Sequence, residues 1–66
     1  MNFYVTVRDG GRTGYLLGPY PTHDEARTNV DRGRTLAEAR DAWAHFYSFG
    51  TARVSATTLP RATFGR

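Results

Sequence analysis

A chain of 66 residues without a single cysteine has to hold itself together by burial alone. Neither a disulfide nor a thiolate-bound metal can staple it. A domain of this size buries only about 60% of the surface its unfolded form exposes, and ordering it costs on the order of 100 kcal/mol of conformational entropy. The apolar groups must therefore be large. Phe3, Tyr4, Tyr15, Tyr20, Trp43, Phe46, Tyr47, Phe49 and Phe64 meet that need, since each large ring can remove about 150–250 Å² from water. Such a chain makes one domain and no more. Homodimerisation is the other common remedy for a thin core, so monomer and homodimer both stay open.

The periodicities divide the chain. Residues 2–8, NFYVTVR, alternate strictly, with Phe3, Val5 and Val7 on one face and Tyr4, Thr6 and Arg8 on the other, which predicts a strand. Asp9-Gly10-Gly11 is hairpin-turn chemistry. Residues 13–17 read as the returning strand, ended by Gly18-Pro19-Tyr20-Pro21 because proline removes ladder donors. Thr22-His23-Asp24-Glu25 is a capping box with two acids in the first turn. It predicts a helix over about 23–40, kinked or interrupted near 31–34, with two separate short helices as the alternative. Ala26, Val30, Gly33 and Ala37 form a small-sided stripe that requires the helix to lie close against the sheet. Residues 43–54, WAHFYSFGTARV, read as a third strand with Trp43, His45, Tyr47 and Phe49 on one face and a bulge at Gly50. The predicted fold is α+β: a three-stranded antiparallel sheet with one helix on one face, in the order β-β-α-β. Residues 1–55 form the domain, and 56–66 are an arm that is loose unless Leu59 or Phe64 docks it.

Several function classes are disfavoured. MNFYVTVRDGG has no charged n-region before an apolar run, and no apolar run approaches a membrane span, so a cytoplasmic protein is expected. His23 and His45 are the only histidines, one in a helix cap and one in a predicted strand, so no metal is expected. Ser48 and Ser55 carry no nucleophile motif, and Asp24-Glu25 is explained by capping. The glycines of 10–14 lie between two strands rather than before a helix, which disfavours a phosphate cradle. The expectation is a non-enzymatic chain without cofactors.

The charge pattern points to binding. Nine arginines and no lysine stand against six acids, for a net charge of +3. GC-rich coding also yields arginine, but arginine is the cation that pairs bidentately and stacks on rings. Arginine and aromatic enrichment with lysine depletion is interface composition. The residues expected to contact a partner are Tyr4, Arg8, Arg12, Tyr47 and Arg53, on and around a tyrosine-bearing sheet face. The alternative is RNA or single-stranded DNA bound by the same rings and guanidinium groups.

Two segments, GYLLGPYPTHDEA (14–26) and DAWAHFYSFGTARV (41–54), resemble stretches of small uncharacterised phage and prophage accessory proteins from GC-rich proteobacteria. The resemblance implies a protein acting in the bacterial cytoplasm that binds and inhibits a host protein or ribonucleoprotein complex, as anti-CRISPR inhibitors do. It assigns no residue a role. The basic charge sets the chain apart from acidic nucleic-acid mimics, and an acidic protein patch or bound guide RNA suits it better.

Overall fold

The computed structural model describes residues 1–66. Strand β1 (Asn2–Asp9) turns through Gly10-Gly11 into β2 (Arg12–Tyr20). Helices α1 (His23–Thr28) and α2 (Val30–Arg40) follow, then a 3-10 helix (Ala42–Phe46) and strand β3 (Ser48–Val54). The expected three-stranded antiparallel sheet is present, with order β2-β1-β3, so the first strand lies at its centre. No helix is long and apolar enough to cross a membrane.

The alternation read in the first strand holds. Val5 points toward the helices, where its Cγ1 lies against Gly33, while Tyr4 points to the opposite face and meets Tyr15 edge-on at 5.0 Å. Pairing of β1 with β3 is unbroken from Asn2↔Val54 to Arg8↔Ser48, and no bulge occurs at Gly50. The irregularities lie in β2 instead. Register shifts there turn both Leu16 and Leu17 toward the helices, each with a methyl group within 3.6 Å of where a Gly33 Cβ would stand. Such extra residues bend a strand without ending it. The strand therefore runs through Gly18-Pro19 to Tyr20 rather than stopping at Leu17. Gly18 makes this continuation feasible: its φ is +132°, and a Cβ would sit 2.8 Å from Tyr4 Cδ2, a position only glycine occupies without strain.

The helix starts where the capping box placed it, with the Glu25 amide donating to Thr22 Oγ1 at 3.2 Å. The interruption falls at Asn29, not at 31–34. The Glu25 carbonyl accepts from Thr28 Oγ1 and Asn29 Nδ2 at 3.0 and 2.7 Å, while the Asn29 amide turns back to Ala26. Side chains thus compete for a helical acceptor and tighten the turn. Thr35 lies inside α2, where its hydroxyl donates back to the Asp31 carbonyl at 3.0 Å. Gly33 sits inside α2, buried with Ala37 as the small-sided stripe demands. A Cβ there would lie 2.7 Å from Val5 Cγ1.

The segment after β3 is docked. Pro60 covers the far sheet face and accepts the Tyr4 hydroxyl at 2.7 Å. The chain then follows the outer edge of β2, where the Thr63 and Phe64 amides donate to Tyr15 and Leu16 and the Gly18 amide donates to Gly65, at 2.8–2.9 Å. Phe64 packs against the core, with the Arg40 guanidinium 5.9 Å from its ring centre. Arg66 lies over Tyr20, and its carbonyl accepts from Arg32 Nη2 at 2.6 Å. Of the two anchors considered for the arm, Phe64 holds it; Leu59 remains at the surface.

Two outcomes test this packing. Gly33→Ala removes a helix-interior glycine worth about 1 kcal/mol yet is expected to lower stability by about 1–3 kcal/mol through overpacking. In a double-mutant cycle by urea melts, Val5→Ala relieves part of that loss. Burial, followed by the nearby Tyr15, raises the Tyr4 hydroxyl pKa above its ordinary value. Its folded-state pKa exceeds the unfolded one, so its contribution is complete below about pH 10 and is lost as pH rises through the folded value. Tyr4→Phe is expected to lower the melting temperature at neutral pH and to flatten its alkaline fall.

Candidate protein-recognition surface

The helix-to-strand junction is built around Asp41. Its amide closes α2 on the Ala37 carbonyl at 2.8 Å. Its carboxylate accepts the Trp43 amide at 2.9 Å through Oδ1 and the Tyr47 hydroxyl at 3.3 Å through Oδ2. That capping, together with two alanines of low strand propensity, winds residues 42–46 into a 3-10 helix. The extended reading of 43–46 is thereby corrected, and β3 begins only at Ser48.

The winding decides which rings face out. With three residues per turn, positions i and i+3 eclipse. Ala44 points into the core at 1% exposure, so Trp43 and Phe46 come together on the outer side. They are 69% and 75% exposed, with ring centres 5.8 Å apart. His45 stands edge-on to Phe46 at 5.5 Å, and its Nδ1 is 3.7 Å from Glu38. Asp9, Trp43, Phe46 and Tyr47 enclose a shallow depression of about 350 Å³. A second depression of about 410 Å³ lies on the other side of Tyr47, floored by Val7, Leu16, Ala37 and Ala44.

The charges around the rings are mixed. The Tyr47 hydroxyl pKa is pushed up by burial first, then by the negative charges of Asp41 and Asp9 and the hydrogen bond to Asp41, while Arg12 opposes them. Tyr47 is thus a neutral donor set among two acids and one guanidinium group. No cluster of three or more histidine, cysteine or acidic side chains is placed to hold a metal.

The five residues expected to contact a partner do not share one surface. Tyr4 is 0% exposed and committed to Pro60, so its assignment as a contact residue is corrected: the arm covers the face on which it was to stand. This also removes the central ring of the nucleic-acid alternative. Arg8 is exposed at the hairpin end of the sheet, paired with Thr13 and Ser48. Arg12 lies beside it opposite Asp9 and close enough to act on Tyr47. Arg53 is at the other end of β3, its Nη1 3.6 Å from Met1 Sδ. The structure therefore groups Arg8, Arg12 and Tyr47 at one end and leaves Arg53 apart. The arginines that stack on rings are others: Arg34 on Phe49, Arg40 on Phe64 and Arg66 on Tyr20, at 5.2, 5.9 and 5.8 Å.

Trp43 and Phe46 are the contact candidates that the sequence pattern missed. A legible signal was present, because Asp-Ala-Trp directly after a helix is N-cap chemistry and not a strand start.

Compared with protein-family models, curated proteins and solved structures, the chain matches none.

Asp41→Ala is expected to lower stability by about 1 kcal/mol and to free the Trp43 ring, measured as reduced steady-state fluorescence anisotropy at the single tryptophan. Asp41→Asn, which keeps an acceptor for the Trp43 amide, retains most of both.

Proposed function

We propose that the chain is a non-enzymatic protein-binding module whose contact surface is the ring pair Trp43 and Phe46, with Tyr47 and Arg12 at its border. The observation that carries this reading is the exposure of both large rings, 69% and 75%, in a chain whose core is small. Apolar surface left in water at such a cost marks a partner site. Tryptophan in particular concentrates binding energy where a partner can seal it from solvent. Here the 3-10 turn and the Asp41 cap fix the backbone that carries the pair, which lowers the ordering entropy lost on contact.

The resemblance of residues 14–26 and 41–54 to phage and prophage proteins supports a more specific version: a cytoplasmic, anti-CRISPR-like accessory protein that inhibits a host protein complex. The second of those segments contains both exposed rings. With Asp9, Asp41 and Glu38 near Arg12 and Arg40, the border suits a partner surface of mixed charge better than a phosphate backbone.

The test is capture from a bacterial lysate by the immobilised chain, followed by titration of the recovered protein. Trp43→Ala and Phe46→Ala are each expected to weaken that complex by about thirtyfold, the range of a hot-spot side chain, while Arg53→Ala leaves it unchanged. A partner held equally well by all three variants overturns the assignment of the surface. Steeply salt-dependent binding of single-stranded nucleic acid, with no protein recovered, overturns the reading as a whole.

A further inference from the structure

The two edges of the sheet are treated differently. The outer edge of β2 is closed by the chain itself, through the hydrogen bonds of Thr63, Phe64 and Gly65. The outer edge of β3 has no such cover: apart from the pairing with β1, none of the backbone hydrogen bonds involves residues 48–54. An open edge is a template for another strand unless it is guarded by proline, a bulge or charge. Strand β3 contains no proline, pairs with β1 in unbroken register, and carries a single charged residue, Arg53.

We infer that this edge is a homodimer interface, in which β3 pairs antiparallel with β3 of a second copy across a two-fold axis at Thr51. The occupant follows from the sequence of the strand. The register centred on Thr51 is the one that pairs all seven residues of Ser48–Val54 with their counterparts. It places Thr51 opposite Thr51, a favoured cross-strand pair. Phe49 then faces Arg53 twice over, so each guanidinium meets a ring and not the other guanidinium. Gly50 faces Ala52 on the other face of the strand, a pair with no side chain larger than a methyl group. Ser48 faces Val54 at the ends. A strand that complements itself in this way needs no partner of different sequence, and a two-fold interface requires such self-complementarity. The resulting six-stranded sheet is built from residues 48–54 and not from the 42–46 turn that carries Trp43 and Phe46, and it extends a fold that is thin for one copy. On the helix side His23 already holds the Thr51 hydroxyl, Nε2 to Oγ1 at 3.0 Å, fixing the side chain at the axis.

Sedimentation velocity of the full chain across a wide concentration range tests this, with two charge variants at the axis. The wild type is expected to move from monomer to dimer as concentration rises. Thr51→Glu and Thr51→Arg each place like charges face to face and are expected to raise the dimer dissociation constant by about tenfold or more. An equimolar mixture of the two restores dimer through opposite charges, which a mere folding defect could not do. Trp43→Ala dimerises as the wild type does, and this separates the interface from the proposed partner surface. Hydrogen exchange on the wild type supplies a readout without mutation: the β3 amides gain protection at high concentration. A monomer at every concentration overturns the proposal. So does a dimer indifferent to both charges at position 51, or a mixture that fails to recover.

Discussion

The contact between Gly33 and Val5 sets the spacing of the whole molecule. With no Cβ in the way, α2 settles directly onto the central strand, at a distance where one added carbon would stand 2.7 Å from Val5 Cγ1. That approach brings Ala37 and Ala26 onto the sheet and lets Leu16 and Leu17 reach the same helix from neighbouring positions in β2. A chain this short cannot fill a wide gap between helix and sheet with large side chains. It uses close contact of small ones, whose dispersion energy depends steeply on distance.

This economy releases rings for other tasks. Tyr4, Tyr20 and Phe64 secure the C-terminal segment, which runs from the far face of the sheet around the edge of β2 to the helix side. Three of the nine arginines, Arg34, Arg40 and Arg66, lie over Phe49, Phe64 and Tyr20. Planar guanidinium groups can cover rings while keeping their charge in water. The ion pairs contribute less. Arg27–Asp24 and Arg34–Asp31 are exposed pairs within the helices, a type worth a few tenths of a kcal/mol. A third of the arginines in this chain thus serve as aromatic clips, while Arg27 pairs with Asp24, Arg32 holds the C-terminal carbonyl, and Arg8 and Arg12 stand at the hairpin end.

Trp43 and Phe46 have no intramolecular role of that kind. Their outward position follows from Asp41, which ends one helix and caps the next turn with the same residue. The surface proposed for partner recognition is therefore a by-product of a backbone decision made two residues earlier. It is carried by residues 42–46, whereas the open edge is formed by residues 48–54.

Local chemistry in the sequence determined the hairpin, the capped start of the helix at Thr22, the alternation of β1 and the close-packing stripe, because each depends on residues within a turn or on a fixed period. The tertiary structure decided what depends on competition or on distance along the chain. The helix breaks at Asn29 because the side chains of Thr28 and Asn29 take the Glu25 carbonyl, a choice between two acceptors that periodicity does not rank. Residues 43–46 wind rather than extend because the Asp41 carboxylate caps the Trp43 amide, and the turn that follows sets Ala44 into the core. Tyr4 disappears under Pro60, fifty-six residues away in sequence. Which sheet face lies open depends on the path of the whole chain, and no window of the sequence contains that path.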